Sequence, residues 1–151
     1  MILFLDFDGV LHLEFIPGIT PGRARVGEEH FTHLPAFEAV VRDFPGVDIV
    51  ISSTWRLRHS LDELRAFFSP DIAGRIIGVT PELPRNHPER REGEIRQWLD
   101  GAGRTDEPFL AIDDWPPLFS QDFDALFWVS PEEAFDDAAA LRLRAILREF
   151  A

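Results

Sequence analysis

Asp6 and Asp8 stand two residues apart at the end of an apolar run, Ile2 to Phe7. In extended backbone, residues i and i+2 share a face, so the spacing predicts that both carboxylates point the same way. Two acids at the end of a buried strand are costly unless something compensates them. A divalent cation is the simplest compensation, and oxygen-only ligands suit Mg2+. Gly9 lets the backbone turn tightly just beyond the pair. The pattern is not a calcium loop, because Gly9 comes too early and Pro17 stands where the twelfth-position Glu belongs. Taken alone, two acids in this spacing are equally well a turn-capping pair. Weight comes from two more apolar runs with chemically capable ends. Val47 to Ile51 leads into Ser52-Ser53-Thr54, and Pro108 to Ile112 leads into Asp113-Asp114. Asp122 and Asp124 lie further on and read as solvated loop acids.

These runs belong to a set of five predicted strands, completed by Arg75 to Val79 and Ala125 to Val129. The first is apolar on both faces, as in a strand buried inside a parallel sheet. Amphipathic stretches lie between them. Phe37, Val40, Val41 and Phe44 recur at helical spacing over Pro35 to Phe44. Ser60 begins a helix carrying Leu61, Leu64, Phe67 and Phe68, with Glu63 at the capping-box position. Glu89 to Leu99 forms a third, with Gly101 and Gly103 beyond its end, and Asp136 to Phe150 a fourth. Alternating strands and helices define an α/β fold, a central and mostly parallel five-stranded sheet with helices on both faces. Ligands of such sheets gather at the carboxyl ends of the strands, which is where the polar clusters fall. Gly9 to Leu34, with Pro17, Gly18, Pro21, Gly22 and Gly27, lacks periodicity and reads as a flap beside the site.

Composition narrows the chemistry. A length of 151 residues fits one domain, 1–151. The chain has no Cys, which excludes thiolate ligands and a cysteine nucleophile. It has no Lys and no Tyr; all 15 basic residues are Arg, so Schiff-base chemistry is excluded and any cation in the site is Arg or His. With 27 acids the formal charge is −12, which argues against strong non-specific binding to nucleic acid or an anionic membrane. Met1 to Leu5 has no basic flank and no apolar stretch nears the ~20 residues of a spanning helix, so a cytoplasmic protein is expected.

Phe4-Leu5-Asp6-Phe7-Asp8-Gly9-Val10-Leu11 resembles the first motif of haloacid dehalogenase (HAD) superfamily phosphatases. Ile49-Val50-Ile51-Ser52-Ser53 resembles their second motif and Leu110-Ala111-Ile112-Asp113-Asp114 their fourth, and the resemblance spans nearly the whole chain. It implies a Rossmann-like HAD fold, Mg2+ and a phosphoaspartyl intermediate. Asp6 takes the nucleophile's position and Asp8 that of the general acid and base. Family members that cleave carbon–halogen bonds lack the second aspartate, so Asp8 favours phosphoryl transfer. Ser52 is expected to hydrogen-bond a phosphoryl oxygen, with Ser53 as the register alternative. Asp113 and Asp114 are the implied metal acids, together with Asp6 and the backbone carbonyl of Asp8. The third motif departs from the family's usual Lys. Arg91 fits best, at the start of the right helix, with Arg90 and Arg85 as alternatives.

The family's substrate-selecting caps are inserted after the first or the third strand. Here Gly9 to Leu34 and Thr80 to Arg90 are too short for a helical cap, so a compact enzyme with an open site is expected. An open site suits a phosphorylated macromolecular end, unless a second subunit covers it. Similar compact HAD domains occur in RNA-repair polypeptides, and a phosphorylated small molecule remains the alternative substrate. A phosphotransferase and a non-catalytic binding domain are the rival functions. Gly9, His12, Ser53 and Arg56 are expected substrate contacts, with a local hydrogen bond the other role for His12 and acid pairing the other role for Arg56 and Arg58. His30 and His33 have a spacing open to metal but no evident third ligand. Trp55 and Trp115 flank the site loops, where they either pack or stack on a base or ring.

Overall fold

The computed structural model describes residues 1–13 and 30–151. Its centre is a five-stranded sheet, β1 (Ile2–Leu5), β2 (Asp48–Ile51), β3 (Ile76–Val79), β4 (Phe109–Asp113) and β5 (Leu126–Trp128). The strand order is β3-β2-β1-β4-β5 and every pairing is parallel. Parallel sheets need both faces covered, and β1 meets that demand by alternation. Leu3 and Leu5 enter one buried cluster with α1 (Leu34–Arg42) and α5 (Asp137–Phe150), through Phe37, Val40, Val41, Leu143 and Leu147. Ile2 and Phe4 enter the other with α4 (Arg90–Ala102), through Ile95 and Leu99. Two short helices, α2 (Leu61–Ala66) and α3 (Pro70–Ala73), complete the first face through Leu64 and Ile72.

This order decides where the site lies. From β1 the chain moves outward to β2 and β3, then returns past β1 to β4. The direction of winding therefore reverses between β1 and β4, and the crevice at such a switch point opens at the strands' carboxyl ends. Leu5 lies level with Ile112 and Ile51, so Asp6, Asp113 and Ser52 leave the sheet at one edge.

Several element ends differ from the sequence pattern. The sheet is wholly parallel rather than mostly so. β1 stops at Leu5 instead of Phe7, because the Phe7 N–H turns back to Asp6 Oδ1 at 2.9 Å and Val10 and Leu11 N–H groups close a turn on the Phe7 carbonyl. The helix begun by Ser60 ends before Phe67 and Phe68. Pro70 cannot donate to a continuing helix, and it starts α3 instead, while Glu38 takes the Ser69 N–H and hydroxyl, both at 2.7 Å. The expected Ser60–Glu63 capping box is present in both directions. α4 runs on through Gly101 and ends at Gly103, whose φ is +66°. The connections of the described residues hold no cap domain; residues 14–29 of the expected flap lie outside them. No described helix is long and apolar enough to cross a membrane.

The Asp136 carboxylate caps α5 by accepting the Ala139 N–H at 2.9 Å. Removing such a cap costs about 1 kcal/mol. Asp136→Ala is expected to lower Tm by about 2–4 °C, measured by thermal unfolding followed by circular dichroism.

Candidate active site

Asp6, Asp113 and Asp114 are all buried, and each offers an oxygen within 4.8 Å of the others. Gly9 permits this approach. Its φ is +78°, and a Cβ there would stand 2.2 Å from Asp114 Oδ2. Arg91 supplies the cation: its Nη1 lies 2.8 Å from Asp113 Oδ2 and 3.3 Å from Asp6 Oδ1, with both the arginine and the acids buried. Arg85 is exposed and Arg90 partly so, and neither makes an ion pair with these acids. The remaining Asp113 oxygen accepts the Trp115 N–H at 2.9 Å, which fixes the turn after β4.

The electrostatics are lopsided. Burial, then the charge of Asp113, push the Asp6 carboxyl well above its ordinary range; Arg91 opposes them and Asp114 adds to them. Burial alone would lower Arg91, but Asp113, Asp6 and Glu94 outweigh it and hold the guanidinium firmly charged. Three acids thus face one arginine. That donor set, all carboxylate oxygen and short of positive charge, fits a hard divalent cation such as Mg2+.

Asp8 stands apart. Because the strand ends at Leu5, its carboxylate parts from that of Asp6 and meets two donors instead. His12 Nε2 lies 2.7 Å and Trp55 Nε1 3.0 Å from the same oxygen, Oδ1. The His12 Nδ1 accepts the Phe31 N–H at 3.3 Å, so the ring proton sits on Nε2 and is donated to Asp8. Burial raises Asp8, yet the hydrogen bonds from His12 and Trp55, with His12 and His30 close by, more than cancel it, leaving the carboxyl below its ordinary range. Neighbouring carboxylates in one motif are therefore pushed in opposite directions.

Three of the expected substrate contacts meet partners within the protein. His12 is buried at 1% exposure and spends both ring nitrogens on Asp8 and Phe31. Ser53 is fully buried, and its hydroxyl accepts the Trp55 N–H at 3.2 Å to start the 3-10 turn Thr54–Leu57. Arg56 is buried against Glu94 at 3.0 Å and donates to the carbonyls of Ser53, Thr80 and Pro81. Four of its five N–H groups are spent on these partners. Glu94 also accepts the Leu83 N–H at 2.9 Å. It lies one helical turn after Arg91, so the Arg56–Glu94 pair anchors α4 and with it the arginine that reaches Asp6. Sequence reasoning missed Glu94 entirely, and assigned Trp55 no hydrogen bond. His33 Nδ1 lies 3.2 Å from the Phe135 carbonyl, while the His30 ring packs edge-on against that of His12 at 4.9 Å. The pair is not among the described metal-capable groups. The Asp8 side chain is absent from the clustered carboxylates.

Ser52 and Arg91 carry a further feature. Ser52 Oγ and Arg91 Nε, together with Arg90 Nε on the same helix, are buried and have no hydrogen-bond partner among the described residues. Buried polar atoms are satisfied in the great majority of cases, so two orphan donors beside a cluster of acids mark a place built for acceptor atoms.

A parallel α/β sheet whose switch point gathers acids from its first and fourth strands, with a serine after the second and a helix-borne cation, defines a HAD-type domain. Residues 2–143 match the family model described as the HAD domain in Swiss Army Knife RNA repair proteins, and the chain belongs to that family. No curated protein and no solved structure matches it.

A metal-free Asp6 carboxylate opposes folding at neutral pH. Its folded-state pKa is raised, so its contribution is present at low pH and lost as pH rises through the raised value. Asp6→Asn is expected to raise the Tm of the metal-free protein at pH 7 by about 2–8 °C, corresponding to about 1–2 kcal/mol of relieved repulsion. Added Mg2+ should raise Tm more in the natural chain than in this variant; differential scanning fluorimetry reads both.

Proposed function

We propose that the protein is a Mg2+-dependent phosphomonoesterase in a single domain over 1–151, working through a phosphoaspartyl intermediate on phosphate at a nucleic-acid end. The observation that carries this reading is the pair of orphan donors, Ser52 Oγ and Arg91 Nε, buried beside three clustered carboxylates. Acceptor oxygens and a cation together satisfy such a place, and a metal-bound phosphoryl group brings both. The family's association with RNA repair supports the nucleic-acid end.

Asp6, Asp113 and Asp114, with the Asp8 carbonyl, hold the cation in this reading. A cation held there would offset the repulsion between Asp6 and the phosphoryl group. An Asp6 carboxylate oxygen attacks phosphorus, forming the aspartyl phosphate as the bond to the leaving oxygen breaks. Ser52 and Arg91 donate to the equatorial oxygens, where charge accumulates. Asp8 gives its proton to the leaving alkoxide, then takes one from the water that attacks phosphorus and releases phosphate and free Asp6. His12 and Trp55 occupy Asp8 Oδ1, so Oδ2 is the oxygen left to carry that proton. In the resting site Asp8 is ionised; the arriving phosphate dianion raises its proton affinity by like-charge repulsion.

Activity should require Mg2+ and vanish in EDTA. Asp113→Ala should weaken metal binding strongly while Asp122→Ala leaves it intact; turnover undiminished after complete metal removal would contradict the mechanism. Asp8→Asn separates the roles of the two aspartates. General acid catalysis is worth about 10²–10⁴-fold, so the variant should lose that much on an alkyl phosphate and distinctly less on p-nitrophenyl phosphate, whose leaving group needs little protonation. Equal losses on both esters would remove the acid role from Asp8.

A further inference from the structure

Four tryptophans occur in the chain, and two of them stand half in solvent: Trp115 at 52% and Trp128 at 47% exposure. An indole is the costliest side chain to leave uncovered. Both are tied to the acid cluster. The Trp115 backbone N–H is bonded to Asp113 Oδ1 at 2.9 Å, and the Trp128 indole N–H is bonded to the Asp114 carbonyl at 3.2 Å. Trp128 is also the strand partner of Asp113. Pro116 and Pro117 follow Trp115 and stiffen its turn. Two half-exposed indoles are thus each bonded directly to a member of the acid cluster.

Charge bears on what they meet. At −12 without a single Lys, the protein gains little from the counterion release on which most nucleic-acid binding rests. A polynucleotide end must be held here mainly by something other than its backbone charge. Base stacking on aromatic side chains meets that need, is tolerant of sequence, and favours a single strand whose bases are unpaired.

We propose that Trp115, with Trp128 beside the same acids, forms a stacking platform for the terminal base of a single-stranded nucleic acid whose end phosphate enters the Asp6 site. The inference rests on the phosphatase reading but is tested separately, by binding. The protein carries Asp6→Asn to prevent turnover, and the probe is a fluorescein-labelled single-stranded oligonucleotide with a terminal phosphate on either a normal or an abasic last nucleotide. Trp115→Ala should weaken binding of the normal end by about 5- to 150-fold, which converts to about 1–3 kcal/mol. It should weaken binding of the abasic end by less than about 2-fold, and Trp115→Phe should recover most of the affinity for the normal end. A purely structural role predicts equal losses on both oligonucleotides, and that result overturns the platform, as does an abasic end that binds the Trp115 protein as tightly as the normal one. Hydrolysis of p-nitrophenyl phosphate by the natural chain with Mg2+ judges the underlying reading independently. If it fails while the base-dependent loss persists, the platform stands and the phosphatase falls.

Discussion

Three buried carboxylates facing one arginine set the terms for this structure. Asp6, Asp113 and Asp114 come within 4.8 Å of one another, and Arg91 neutralises one charge of the three. Removing Arg91 would leave the carboxylates uncompensated, a loss of about 3–5 kcal/mol for a buried pair. The surroundings answer that demand. Winding order brings β1 and β4 side by side with their acids level. Gly9 leaves the room that Asp114 occupies. Arg56 and Glu94, themselves a buried pair, anchor the helix that delivers Arg91. A cation would supply the remaining compensation, which would make metal binding and the integrity of this corner of the fold one problem.

The same motif also separates two carboxylates by environment. Asp6 is enclosed among acids and its proton affinity rises; Asp8 is held by two neutral donors and its proton affinity falls. In the metal-free site this split runs opposite to the one a nucleophile at Asp6 and a proton carrier at Asp8 need; a cation against Asp6 would lower its proton affinity, and a phosphate dianion against Asp8 would raise that of Asp8. The backbone causes the split. Had β1 continued to Phe7, residues 6 and 8 would share a face; because it stops at Leu5, the turn over Phe7 to Leu11 sends Asp8 toward His12 and Trp55.

Much of this was legible in the sequence, for a physical reason. Strand runs buried on both faces are nearly continuous in apolar residues, so the polar residues ending them stand out, and Asp6, Ser52, Asp113 and Asp114 are such endings. Arg91 was legible because, with no Lys in the chain, the site's cation falls to an Arg or His, and Arg91 opens the helix that precedes the fourth strand. What stayed hidden depends on contacts between distant segments. Arg56 looks like a free cation near the site until Glu94, 38 residues away, is seen against it. His12 looks like a substrate contact until the Trp55 and Phe31 partners of its small network are in place. The Ser60 helix stops at Ala66 although hydrophobic spacing continues to Phe67 and Phe68, because Pro70 and the Glu38 bonds to Ser69 start a new element just beyond.

The central claim is that Asp6 forms a covalent bond to phosphorus. An acyl phosphate is reduced by borohydride to the alcohol, which converts a phosphorylated aspartate to homoserine. Quenching the turning-over enzyme into borohydride, followed by peptide mass spectrometry, reads that conversion directly. Homoserine at position 6, appearing only with both Mg2+ and substrate and absent from Asp8, Asp113 and Asp114, is the expected result. Sustained phosphate release with Asp6 never converted, or with the label on another aspartate, would contradict the account.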